Sequence, residues 1–264
     1  MLRPRLHTLD YHCHTSRSRC CEPAADLLTV LARYAGAGFT HLALCDHYYP
    51  DLGAEPFRAT RAELARSDAQ LDVRISVECE LAGPPGVLLC DQPAELLGAV
   101  DHLSAAPHCH RLSAEVPPGT DALSFFHRMH LGACEHPDVA VILHPWDCSR
   151  EQLDSLEDLP EGFLRELAEC AAATGTAIEI SNCFTHDWVW RSTGLAASYE
   201  LLVRELLRAG APIVVGTDGH NLAAGRYGER TIPATHLDTS WAAELLRRCG
   251  ADDRALRLPA PRGT

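Results

Sequence analysis

Seven short apolar runs, each followed by a longer helical or polar stretch, constrain this chain more than any other feature. They are Leu6–Cys13, Thr40–Cys45, Val73–Val77, His102–Ala106, Val139–Leu143, Ala177–Ile180 and Pro212–Val215. The first two are joined by ADLLTVLARYAGAGF, where Leu27, Leu28, Leu31 and Tyr34 are read onto one helical face and Gly36 and Gly38 stop the helix. Helical spacing recurs at Ala54–Leu71, Ala122–Cys134, Gly162–Thr174 and Leu195–Ala209. Strands that alternate with helices make a parallel sheet whose crossovers cover its faces. The expectation is one α/β domain over residues 1–257, closed or nearly closed into a barrel, with 258–264 a disordered tail.

Charge narrows the partners. The formal net charge is −13, and all 23 basic residues are Arg, none of them in a run. That balance argues against nucleic acid or an anionic membrane as the main partner. Without Lys there is no Schiff base, no phosphate-loop lysine and no carbamylated lysine bridging two metals. The 12 Cys include no C-x-x-C pair, which excludes zinc ribbons and thioredoxin-like redox motifs. No apolar run approaches the roughly 18 residues of a membrane span, and MLRPRLHTLD lacks a signal-peptide core. A cytoplasmic protein with reduced thiols and no membrane partner is expected; its oligomeric state is left open.

The 15 His residues carry the chemistry. In a parallel barrel, reactive groups collect at the C-terminal ends of the strands. The first run ends in Asp10-Tyr11-His12-Cys13-His14, and period-2 alternation puts His12 and His14 on one side, able to reach one ion. Alone, an H-x-H pair is weak, since chance supplies on the order of one per chain this rich in His. Other runs, however, end in Asp46-His47, Glu78, His108, His144-Pro145 and Asp218-Gly219-His220, while the sixth carries Glu179 inside Ile178-Glu179-Ile180. Imidazoles mixed with carboxylates suit Zn, Mn or Fe, and so many ligands exceed what one ion needs.

The order H-x-H, D-H, E, H, H-P, D-x-H resembles the PHP (polymerase and histidinol phosphatase) family from Leu6 to His220. The resemblance implies a distorted seven-stranded (β/α)7 TIM-like barrel, two or three divalent metal ions and phosphoesterase activity. The implied ligands are His12, His14, His47, Glu78, His108, His144, Asp218 and His220. There are departures. Histidinol-phosphatase-like members carry a further His six residues after the H-x-H, where this chain has Cys20, followed by Cys21 and Glu22. A thiolate binds Zn at about 2.3 Å, so the third site is either altered or lost. Ser76-Val77 also stand where a Gly is usual.

The expected reaction is hydrolysis of a small phosphate monoester by a hydroxide bridging two ions, with no side-chain nucleophile. Asp46 either orients a ligand from behind or is a plain turn carboxylate. Cys13 is expected to pack away from His12 and His14 as a small hydrophobe. His7, His41, His102, His127, His130, His136 and His236 read as solvated or hydrogen-bonded structural residues. His186 and Arg17, Arg19, Arg111, Arg191 and Arg226 fall in loops near the active face, and nothing selects a phosphate binder among them. Two alternatives stand beside this reading. An amidohydrolase or TatD-like deoxyribonuclease barrel also opens with H-x-H, but typically ends in a lone Asp rather than Asp218-x-His220. A non-catalytic PHP-like binding module would be expected to lose ligands, and only Cys20 points that way.

Overall fold

A computed structural model describes residues 5–90, 93–107, 116–146, 153–185, 193–227, 230–232 and 234–259. Strands β1 (Leu9–Cys13), β2 (His41–Leu44) and β3 (Asp72–Ile75) form a parallel three-stranded sheet in that order. A second sheet has β4 (Glu78–Gly83), β6 (Leu103–Ala106), β7 (Val139–Ile142), β8 (Ala177–Ser181) and β9 (Ile213–Gly216) side by side and parallel. The short β5 (Val87–Leu88) pairs antiparallel on its β4 edge, and β10 (Gly225–Tyr227) with β11 (Arg230–Ile232) makes a separate hairpin. The architecture is therefore α/β, with parallel sheets of three and five strands.

Main-chain bonds connect the two sheets. Ser76 N–H donates to the Leu44 carbonyl at 2.8 Å, while Ser104 N–H donates to Val77 at 3.0 Å. The extended run read as Val73–Val77 thus changes partners part-way, and Glu78 opens β4 instead of ending the third strand. Across the other junction, Asp218 N–H donates to His12 at 2.8 Å and His14 N–H to Gly219 at 2.9 Å.

The helices follow their caps and apolar faces. Asp26 accepts from Thr29 N–H and starts the helix Leu27–Gly36, which buries Leu27, Val30, Leu31 and Tyr34. Leu28, read onto that face, is 51% exposed, because Val30 and not Leu28 keeps the helical spacing. The helix expected over Ala54–Leu71 stops at Leu64. That expected over Leu195–Ala209 is two helices, Thr193–Ser198 and Glu200–Ala209. They meet at Tyr199, whose buried hydroxyl donates to the Pro145 carbonyl at 2.6 Å. Ile142, Ile178, Ile180, Val214 and Leu206 belong to the main apolar core. Cys13 packs in a second cluster with Val30, Tyr34 and Leu44, as expected of a small hydrophobe. Among the described residues no helix is long and apolar enough to cross a membrane.

Candidate metal centre

Alternation along β1 sends Asp10, His12 and, one step past the strand, His14 into the same interior, where all three are fully buried. His12 Nδ1 lies 3.1 and 3.2 Å from the two oxygens of Glu179, leaving Nε2 as the nitrogen that faces inward. His14 is fixed by a longer chain of bonds. Ser18 Oγ donates its only proton to Asp46 at 2.7 Å, so across the 3.2 Å contact with His14 Nδ1 it must accept. Both rings thus carry a proton on Nδ1, and their two Nε2 atoms face each other at 3.0 Å. At that distance either a proton or a metal ion lies between the two nitrogens.

Carboxylates ring this pair. His14 Nε2 is 3.1 Å from Asp218 Oδ1 and 3.4 Å from Glu78 Oε2. Glu78 also reaches His47 Nδ1 at 3.2 Å and His144 Nε2 at 3.3 Å. His220 Nδ1–H donates to the carbonyl of Asp218 at 2.8 Å, which turns its Nε2 outward to a ligand. Among the described residues three groups have donor atoms within 4.8 Å of one another: His12, His14 and Asp218; His12, Glu78 and His144; His14, His47 and His220. The donor set, imidazole nitrogens with fixed tautomers beside carboxylates, fits transition-metal ions.

Electrostatics agree. Burial alone would push His12 down, but the Glu179 and Asp218 carboxylates raise it well above the ordinary imidazole range. His14 is driven well below that range by burial and by His220 and His47. Burial opposes charge on Asp218 too, yet His220 and His12 hold its carboxyl well below the usual value. The carboxylates thus favour a positive charge between the rings, whether it is carried by a proton or by a metal ion. Backbone geometry is unusual at two of the same positions: His144 has φ +26° and Asp218 φ +52°, a region costly for side chains other than Gly and concentrated at functional sites. Gly216 is required for space, since a Cβ there would fall 2.0 Å from Glu179 Oε1 and 2.6 Å from His12 Cβ.

The structure brings together every residue of the expected set except His108, which lies outside the described residues, as do His186, Arg111 and Arg191; Arg226 has no described side chain. Asp46 is more than a turn carboxylate: it accepts from Thr15 N–H, Thr15 Oγ1 and Ser18 Oγ, each at 2.7 Å, and so steadies His14 through Ser18. Arg17 pairs with Glu63 at 2.6 Å and Arg19 with Asp51, so both are committed elsewhere. Burial opposes ionisation of Cys20, but the nearby rings of His220 and His47 bring its thiol down to about 6. Sequence reasoning flagged Glu179 as an odd charge without giving it a role. It overlooked Asp10, which accepts from His12 N–H and Thr217 N–H at 3.0 Å and from Thr217 Oγ1 at 2.7 Å. Burial outweighs those bonds and raises Asp10 to about 6.

No protein-family model and no curated protein sequence matches this chain. Solved structures do. The histidinol phosphate phosphatase of Lactococcus lactis subsp. lactis Il1403, complexed with zinc, L-histidinol and phosphate, superposes with a TM-score of 0.54 over 92% of this chain and 94% of its own, at 17% identity. A Listeria monocytogenes protein provisionally assigned as a histidinol phosphatase gives 0.53 over 80% and 94%, at 12% identity. The chain shares the fold of these proteins.

Proposed function

We propose that the chain is a metal-dependent hydrolase of a small phosphate monoester, histidinol-phosphatase-like in its chemistry. The observation that carries this reading is the pair of His12 and His14 Nε2 atoms at 3.0 Å, ringed by Glu78 and Asp218. His12, His14, Asp218, Glu78, His144, His47 and His220 would hold two or three ions of the Zn, Mn or Fe class, with His108 joining them on the sequence pattern alone. Bound there, such ions supply a water of near-neutral pKa and a clamp for phosphoryl oxygens. Glu179 and the Asp46–Ser18 pair set the rings of His12 and His14, and Asp10 fixes the main chain beneath them. For the fold we propose closure into a distorted seven-stranded TIM-like barrel over residues 1–257, counting β3 and β4 as one interrupted strand. The main-chain bonds at both junctions between the sheets support it. A reducing, cytoplasmic setting suits the free thiols among the described cysteines.

Charge selects the substrate class. Divalent ions would make the pocket locally positive, which attracts a small dianion, whereas the −13 envelope repels a polyanion. No basic run is present to release counterions from a nucleic acid. The test is to load the protein with Zn, Mn or Fe, count ions by elemental analysis, and compare kcat/KM at fixed ionic strength. The substrates are phosphomonoesters, single-stranded DNA and N-acyl compounds. Two or three ions per chain and a strong preference for phosphomonoesters are expected. Less than one ion per chain, or preference for DNA or an amide, overturns the assignment.

A further inference from the structure

We infer that Thr235, His236 and Leu237 form a clasp that sets the main chain of His12, His14 and His220, and through it the affinity of the centre for metal ions. The inference rests on the metal centre proposed above and deepens it, adding positioning residues that lie beyond its last ligand in the sequence. Thr235 Oγ1 accepts two backbone N–H groups at once, from His220 at 2.8 Å and from Asn221 at 3.0 Å, one for each lone pair of a hydroxyl. The Asn221 carbonyl returns the bond, accepting from Thr235 N–H at 2.9 Å and from His236 N–H at 3.3 Å. The turn that carries His220 is thus fastened by its N–H groups and by a carbonyl.

The next residue reaches His14. This histidine stands one step past β1, and its two main-chain groups are tied to different segments. Its N–H donates to the Gly219 carbonyl at 2.9 Å, and its own carbonyl accepts from His236 Nε2–H at 2.9 Å. The His236 ring also packs against the backbone between Asp218 and His220, where a Cβ on Gly219 would fall 2.9 Å from its Cγ. That close approach accounts for the glycine between the two ligands.

Leu237 completes the clasp. Its N–H donates to Tyr34 Oη at 3.3 Å, and Tyr34 Oη donates to Asp10, which accepts the N–H of His12 at 3.0 Å. Leu237 holds φ +71° while it does so, a backbone conformation rare for a bulky side chain. Thr235 and His236 are buried, so a lost acceptor or donor there would not be replaced by water and would leave its partner unpaired. Ligands held in place before an ion arrives cost less to gather around it.

Zinc titration of the full, metal-stripped chain against a chromogenic chelator tests this, with circular dichroism confirming that each variant is folded. Thr235→Val, close in shape but without the acceptor, should weaken zinc binding about 10–100-fold, the range for partners standing behind metal ligands. His236→Leu should do likewise. Thr235→Ser and His236→Gln, which keep the acceptor and the donor, should bind zinc as the unsubstituted chain does. A second arm needs no variant. Coupling between clasp and ion is reciprocal, so zinc should slow hydrogen exchange at the His220, Asn221 and Leu237 amides of the unsubstituted protein roughly tenfold or more. Unchanged zinc affinity in Thr235→Val and His236→Leu, an equal loss in the two conservative variants, or exchange indifferent to zinc overturns the inference while the proposed function stands. A chain that binds no zinc overturns it outright, and one that binds neither zinc, manganese nor iron removes the proposed function as well.

Discussion

The carboxylate of Glu179 straddles Nδ1 of His12, with oxygens at 3.1 and 3.2 Å, and one of those oxygens also accepts the backbone N–H of His144 at 2.7 Å. One buried acid thus orients a ring from β1 and pins the main chain after β7. Glu179→Gln puts an amide NH2 where one acceptor stood, so it can keep one bond or the other. Metal affinity or turnover is expected to fall about 10–100-fold, the range for partners standing behind metal ligands. Metal titration alongside steady-state kinetics checks this, and values equal to wild type would remove Glu179 from the site.

His12→Ala and Asp218→Ala each delete a donor from the cluster while leaving the apolar core untouched. Both are expected to lose bound metal and turnover together, with far-UV circular dichroism unchanged. Near-wild-type turnover in either variant would mean that the chemistry occurs elsewhere.

Gly216→Ala tests the crowding behind the site. Its new Cβ would meet Glu179 Oε1 at 2.0 Å and His12 Cβ at 2.6 Å. Overpacking of this kind costs about 1–3 kcal/mol, and here it should also displace Glu179 and weaken metal binding. Gly98→Ala, in the helix Pro93–Ala99 with nothing within 4 Å, is the contrast. It should stabilise the fold by about 0.5–1 kcal/mol. Urea melts of the two variants give the comparison.

His130 makes stability depend on pH. Burial drives it down to about 4, against a partial offset from the Phe126 carbonyl. The neutral ring satisfies both neighbours, its Nδ1–H donating to Phe126 O at 2.6 Å and its Nε2 accepting from Trp146 N–H at 3.0 Å. An unfolded His titrates near 6.5, so between the two values the unfolded chain binds more protons and stability falls as pH falls. Acidifying from about pH 7.5 to about pH 5 should remove about 2 kcal/mol through this residue alone. His130→Gln, which can keep both bonds without titrating, should show a shallower loss in denaturant melts at the two pH values.

Much of the donor cluster was legible because its residues sit beside recognisable apolar runs. His12 and His14 follow from strand alternation, and His144 and Asp218 from their places just beyond β7 and β9. The residues that set those side chains were not legible, since their partners are remote in sequence: Glu179 is 167 residues from His12, and Asp10 is 207 from Thr217. His236 illustrates the same limit. Read as a structural residue, it is indeed hydrogen-bonded, but its Nε2–H donates to the carbonyl of His14 at 2.9 Å, so the support reaches the site itself. The run Val73–Val77 looked like one strand because alternation continues through Ser76, and hydropathy carries no record of which neighbour the backbone pairs with. Leu28 was misplaced for a simpler reason: it lies at the margin of the apolar face, whose inward positions are taken by Leu27, Val30, Leu31 and Tyr34.

The bonds that tie His12 to Asp218 and His14 to Gly219 join the beginning of the chain to a segment made near its end. His14 and Asp218 are 204 residues apart, a separation that takes roughly 10–40 s to translate at about 5–20 residues/s. Throughout that interval the first two histidines are on a nascent chain without the carboxylate that completes their group. An ion captured early would have His12 and His14 but not Asp218, so stable loading belongs after synthesis, when the last parallel strand docks. On the proposed reading, the order of manufacture thereby defers stable metal loading until the donor group is complete.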